Sequence, residues 1–521
     1  MSKESTYNML GKEVIDNEID LSDHLVVLGS GLNAISTIYG ITDNLDDNVK
    51  KIYVIDAGLT KDNDLDIAKE DCDIKMPSPK FKVRDNIYIY AGFKKMLHIT
   101  ENGFQAIGSL AKGGLSNIWG AGIQPYNEEE LSKFPYSYKE IKKIYLRIYK
   151  ILTNLDFSPA LINSDEHNNH NHNHNHNHNH NHNHNHNHNH NHNHNHFRFA
   201  DPLLAFNLAT GNKDYCHLKS CNNGCINCNK NVFNSKDEID DFINSNKIEY
   251  MPGLFIESIT SKDSYFFIKC LCLSSKKLIL IKASTVYCCL GAISTSKIVL
   301  GMSKKENSVP LLSTPGGSFF IYSYKKFHMQ NHKILSSKSF KGCFKNNNFE
   351  GNIFPFSKNL LCTYFGEYLG SFLNLIFGRL LFSKLFIANI FFDSDLSSTI
   401  ITKSNNKLKI VSSIDPNLKV VFKKTMKIVK KEFFKEGLLI APLGKKLLVP
   451  GQDIHYGGSI PMKADPKENQ CDFNGQLKGF NKFYIADAAS MPFLASKGQS
   501  FNSMVNAYYI ASKSIKNKMI D

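Results

Sequence analysis

The sequence predicts an α/β fold: a Rossmann-type domain assembled from discontinuous segments, with a smaller α+β domain placed between them. Three observations carry this. A β-rich run, His24-Leu25-Val26-Val27-Leu28, ends in Gly29-x-Gly31-x-x-Ala34 and passes directly into the helical Ile35–Gly40. A second strand, Lys51–Ile55, follows at βαβ spacing and closes on Asp56. The chain has 521 residues, 42% of them hydrophobic, which is enough for two buried cores.

Each residue of the first turn has a physical task. Gly29 makes the turn, Gly31 lets a pyrophosphate approach the backbone, and Ala34 keeps the helix close to the sheet, while the helix N-terminus stabilises phosphate charge. Asp56, 22 residues after Ala34, is placed to hydrogen-bond a ribose hydroxyl. A tight turn between two core elements needs none of this, so strand, turn, helix and acid together indicate a dinucleotide site. The first domain takes residues 20–160, 200–310 and 446–521, and the substrate domain takes 311–445.

The formal charge of +14 comes from a chain rich in Lys and Asn but poor in Arg, with no zinc-finger or RNA-recognition signature, so no nucleic-acid partner is expected. The first residues lack an apolar core with a cleavage site, and no run of eighteen uncharged apolar residues follows, so a cytoplasmic location is expected. The twelve cysteines are then thiols or metal ligands rather than a disulfide framework.

Residues 167–196 are an almost strict His-Asn alternation holding 15 of the 21 histidines, a composition that buries nothing and predicts a disordered insertion. Metal sequestration and neutral repeat expansion both account for it. Cys216, Cys221, Cys225 and Cys228 gather four thiols on a Gly/Asn-rich loop, either as ligands of zinc or an iron-sulfur cluster or as thiols and a local disulfide.

From Phe354 to Phe392 an apolar stretch interrupted by Glu367, Arg379 and Lys384 reads as packed helices. Ser397–Ser413 alternates like two strands around an Asn-Asn turn. In the helical Leu418–Phe434, Leu418, Phe422, Met426, Val429 and Phe433 form one face and lysines largely the others. Such a helix packs on a core, or rests peripherally on an anionic membrane.

Five segments in order resemble the glucose-methanol-choline (GMC) oxidoreductases. They are the Gly29 turn, Gly113-Gly114-Leu115-Ser116-Asn117, Phe134-Pro135-Tyr136-Ser137-Tyr138, Ile454-His455-Tyr456-Gly457-Gly458, and Asp487-Ala488-Ala489-Ser490-Met491-Pro492. Val286–Ala292, a strand leading to a glycine turn, fits the same order. The likeness is close over 20–160, 200–300 and 450–515 and poor over 311–445.

The resemblance implies FAD as cofactor. Gly29, Gly31, Ala34 and Asp56 would hold its ADP half, Ile256 would contact adenine through its backbone, and Gly114, Ser116 and Asn117 would lie at the flavin side. Asp487, with Met491 in the same segment, would serve the pyrophosphate or ribityl region.

It also implies oxidation of a CH-OH group on an alcohol, in the sugar or glycan-linked range, with His455 as the base that takes the hydroxyl proton and an electron acceptor left open. The family's second active-site residue sits in an Asn-Pro step that this chain lacks; Gln499 and Asn502 both offer the amide, and an ungapped match places Gly498 there. Two rival readings stay open: a flavin-bound protein without alcohol oxidation, and a metal-storage or metal-sensing protein built on the His-Asn tract and the cysteines. An NAD-dependent dehydrogenase has no need of the Gly113 and Asp487 segments.

Overall fold

The computed structural model describes residues 15–45, 51–60, 88–90, 92–156, 197–206, 232–327, 336–345, 347–355, 384–442 and 444–518. The His-Asn tract, the four clustered cysteines and residues 356–383 lie outside the described residues.

The strand Leu25–Leu28 is buried at all four positions, as expected of an apolar run inside a parallel sheet. It is the centre of five parallel strands in the order Phe483–Ile485, Val286–Cys288, Leu25–Leu28, Ile52–Ile55, Ile248–Met251. In chain order that is 5-4-1-2-3, so the topology reverses direction between Leu25–Leu28 and Val286–Cys288. Open parallel sheets bind ligands at the carboxyl ends of the strands where this reversal occurs.

Each of those two strands feeds a helix, Leu32–Thr42 and Ala292–Met302 respectively. The last helix, Ser500–Lys518, lies along Leu32–Thr42, where the Ser36 hydroxyl donates to the Met504 carbonyl at 2.6 Å. A second sheet of Asn17–Leu21, Leu278–Ala283, Tyr265–Cys272 and Leu254–Lys262 carries Ile256 beside the first.

A seven-stranded sheet forms the other layer. Its main path runs Leu438–Ile440, Gly316–Ser323, Leu385–Phe392, Asn347–Pro355, Lys338–Phe344 and Phe197–Ala200, and Lys446–Leu447 also pairs with Gly316–Ser323. Leu385–Phe392 is therefore a strand, against the helices expected up to Phe392; the run Leu-Phe-Ile-Ala-Asn-Ile-Phe-Phe is dense in aromatic and β-branched residues that fit a pleated surface. Phe197–Ala200, directly after the His-Asn tract, is the edge strand of this sheet.

The helix Pro416–Lys435 covers one face of the seven-stranded sheet. Leu418, Met426, Val429 and Phe433 pack on Phe319, Phe340, Phe349 and Phe392, and Phe422 adds a partly buried ring. The expected strand pair appears as Thr399–Ser404 and Lys407–Ser412 in a separate four-stranded sheet with Ser308–Pro310 and Ile99–Asn102. Among the described residues no helix is long and apolar enough to cross a membrane.

Candidate functional site

A cleft of about 1300 Å³, counting the part open to solvent, lies at the reversal point. Gly29, Gly31, Asp56, Gly114, Ser116, Ile256, Gly291, Ile454, Tyr456 and Gln499 are in its wall. Two helix N-termini converge there. Neither Gly31 nor Gly291, the residues preceding the two helices, supplies a side-chain cap, and neither first turn holds an acid. Uncapped N–H groups and the positive helix ends make this a place for an anion.

The glycines divide by what confines them. Gly29 has φ +95°, and a Cβ there would stand 2.8 Å from the Cys289 carbonyl oxygen, so packing against the neighbouring strand demands glycine. Gly31 has φ −74°, and nothing lies within 4 Å of where its Cβ would be. Neither backbone conformation nor protein neighbours require glycine at 31, and the space beside it opens into the cleft.

Asp56 sits at the end of Ile52–Ile55 and is buried. The Ser30 hydroxyl donates to its Oδ2, as does the Tyr250 hydroxyl at 3.0 Å. Burial raises its carboxyl to about 6 against the pull of those donors. Ser30 also accepts the Gly113 N–H at 2.9 Å, which ties the two glycine loops together.

Several expected site residues act from behind the cleft wall. Asn117 braces the Gly113 loop, donating to the carbonyls of Lys112 (2.9 Å) and Gly114 (2.8 Å). Asp487 is fully buried: its Oδ2 accepts the Gly291 N–H at 2.8 Å and the Thr295 hydroxyl at 2.6 Å, and its Oδ1 accepts the Ala489 N–H at 2.8 Å. It thereby fixes the turn that opens the second helix, and burial lifts its carboxyl to about 6. Ala34 and Met491 are buried core residues.

His455 follows Ile454, a β-branched residue held at φ +65°, a conformation such residues rarely adopt. That curl brings the Asp453 carboxylate back to the imidazole, with Oδ2 3.4 Å from Nδ1. The pair is close enough for ionic attraction but outside hydrogen-bonding geometry, and both atoms are buried without a hydrogen-bond partner. The ring meets Phe391 of the seven-stranded sheet edge to face at 4.9 Å. Its chain neighbours Ile454 and Tyr456 line the cleft, whereas His455 itself is not part of the cleft wall.

The two amide candidates differ. Gln499 lines the cleft, yet its Nε2 donates to the carbonyls of Ala495 (2.7 Å) and Lys497 (2.6 Å) and its Oε1 accepts the Tyr126 hydroxyl. Asn502 accepts the Tyr126 N–H at 3.0 Å and donates to the carbonyls of Gln124 (3.1 Å) and Gly498 (3.2 Å). Both brace the segment that carries Gly498.

Three features had no place in the sequence reading. Asp453 stands two residues before His455, where an acid next to a histidine is too common to signal a pair. Lys297 lines the cleft almost wholly buried, donating to the Met96 carbonyl at 3.4 Å, and burial lowers its ammonium to about 8. A buried pair, Lys497 and Glu130 at 2.8 Å, adjoins Gly498. Among the described residues no three His, Cys, Asp or Glu side chains are grouped to hold a metal.

The molecule thus has an α/β core with an anion-receptive cleft at its topological reversal and a histidine–carboxylate pair beside it. No model of a known protein family matches the chain, and no curated protein matches it.

Proposed function

We propose that the protein is an FAD-dependent oxidoreductase acting on a CH-OH group, with a Rossmann-type domain holding the cofactor and His455 as the base. The observation that carries this is the cleft between two uncapped helix N-termini, with open space at Gly31 and the acid Asp56 in its wall. The residues present fit FAD: the first turns of Leu32–Thr42 and Ala292–Met302 would receive the pyrophosphate, Asp56 the adenosine ribose, and Ile256 the adenine edge. When bound, FAD supplies a two-electron acceptor for the hydrogen on the carbinol carbon.

The chain's own residues handle the proton. His455 would take the hydroxyl proton on Nε2, because Nδ1 faces Asp453. Asp453 stands against Nδ1 on one side of the ring and Phe391 confines the other. Loss of that proton and of the carbon-bound hydrogen with its electron pair leaves a carbonyl.

A polyhydroxylated alcohol suits the sheet opposite His455. Its face away from the helix carries Phe391, Glu350, Lys341 and Arg198 in one row and Ser318, Asn389, Asn352 and Ser339 in the next. Asn352 Oδ1 accepts the hydroxyls of Ser336 (3.1 Å) and Ser339 (2.9 Å), leaving its amino group to donate elsewhere.

Equilibrium dialysis of the purified chain against FAD and NAD tests the cofactor assignment. Retention of FAD at micromolar concentration without comparable retention of NAD supports it; the reverse order replaces it with a nicotinamide enzyme.

A further inference from the structure

One corner of the seven-stranded sheet combines large exposed apolar side chains with a rim of lysines. Phe434 is 58% exposed at the end of the helix Pro416–Lys435, Leu439 is 41% exposed and Tyr324 37%. They are neighbours in space. The rings of Tyr324 and Phe434 are 5.9 Å apart, the Tyr324 hydroxyl donates to the Phe434 carbonyl at 2.8 Å, and Leu439 pairs across the strands with Tyr322.

The rim is predominantly basic. Lys430, Lys431 and Lys435 end the helix, Lys325 and Lys326 follow Tyr324, and the Ser323 N–H bonds the carbonyl of Lys384 at 2.8 Å, which brings that lysine in. All six are exposed. Against them stand Glu432, already paired with Lys435 at 2.7 Å, and Glu436. Among the described residues the other five lysines have no ion pair.

A lysine-rich face alone is an ordinary solvated surface. What separates this corner is that three apolar side chains stand proud together inside the cationic rim, two of them aromatic. Aromatic and aliphatic tips enter the boundary between lipid headgroups and acyl chains, while lysines around them meet anionic headgroups. A nucleic acid would use the lysines but leave Phe434 and Leu439 in water.

We propose that this corner docks the protein peripherally on an anionic phospholipid membrane, with Phe434, Tyr324 and Leu439 inserted and the lysine rim on the headgroups. The inference is independent of the cofactor and of the reaction.

Sedimentation of the full chain with vesicles tests it, using phosphatidylcholine alone, phosphatidylcholine mixed with phosphatidylserine, and a DNA duplex as a polyanion without an apolar phase. Wild-type protein should pellet with phosphatidylserine vesicles and stay in solution with phosphatidylcholine alone. Phe434→Ser should weaken partitioning about tenfold, and Lys430→Glu with Lys431→Glu at least about thirtyfold, since each basic residue at the surface contributes about fivefold. Both sites are exposed, so unfolding midpoints should match wild type; where one variant does not fold, the other decides.

No pelleting with phosphatidylserine vesicles overturns the proposal. So does equal pelleting with phosphatidylcholine, or undiminished pelleting of Phe434→Ser. Binding to DNA that depends on the same lysines, without vesicle binding, replaces it with a polyanion site.

Discussion

The two glycines of the first turn should respond oppositely to the same methyl group. In Gly29→Ala the new Cβ meets the Cys289 carbonyl oxygen at 2.8 Å and its carbon at 3.3 Å, with φ at +95°. Left-handed backbone costs an L-residue about 1–2 kcal/mol and overpacking about 1–3 kcal/mol, so a loss of about 2–5 kcal/mol is expected. In Gly31→Ala, φ is −74° and nothing lies within 4 Å, so stability should hold or rise by up to about 1 kcal/mol as the unfolded chain loses freedom.

Cofactor binding should show the reverse contrast. A methyl at residue 31 would stand where the proposed cofactor's pyrophosphate approaches, and losing one charged hydrogen bond costs about 1.5–3 kcal/mol, a weakening of roughly tenfold to a hundredfold. Urea unfolding of the apoprotein gives the stabilities, and FAD titration followed by flavin fluorescence gives the affinities. A Gly31→Ala protein as unstable as Gly29→Ala, or one that binds FAD as wild type does, refutes the division of labour drawn from the structure.

His455→Ala should keep its flavin and lower the rate of flavin reduction by about a hundredfold to ten-thousandfold in stopped flow, whereas Asp453→Asn should lower it less and leave FAD affinity unchanged. Asp487, with its carboxyl raised from 3.8 to about 6, binds a proton more readily folded than unfolded, so its contribution is complete below about pH 3.8 and lost as pH rises past about 6. Wild type should therefore lose up to about 3 kcal/mol relative to Asp487→Asn over that range, and urea midpoints that stay parallel contradict this. Lys497→Met leaves Glu130 buried without its partner and should cost about 3–5 kcal/mol in urea unfolding, a cost that a second change, Glu130→Leu, largely removes. Deleting residues 167–196 should leave flavin content and reduction unchanged; if both are lost, the tract is a working part.

Much of the parallel sheet was legible because its signals are local. Four apolar residues followed by Gly29-x-Gly31 can hardly be anything but a buried strand and a turn, and the lysine-rich helix shows its face at Leu418, Met426, Val429 and Phe433. The strand Leu385–Phe392 was not legible as such, since an apolar run fits a buried helix or a buried strand until its partners Gly316–Ser323 and Asn347–Pro355 are known.

Within the site, the glycine turns announce themselves, but the roles of the carboxylates do not. Asp56 and Asp487 look alike in sequence, yet one lines the cleft and the other supports the Gly291 turn from behind. Asp453 acquires meaning only from the left-handed Ile454, and the polar sheet face only from register across strands far apart in the chain, as between Arg198 and Glu350.

The most direct test of the central claim is the absorbance spectrum of the purified protein, before and after anaerobic addition of sugars and simple alcohols, with His455→Ala alongside. Flavin bands in both proteins, bleached by substrate at full rate only in the wild type, are the predicted result. Protein that shows no flavin bands, even after incubation with FAD, contradicts it.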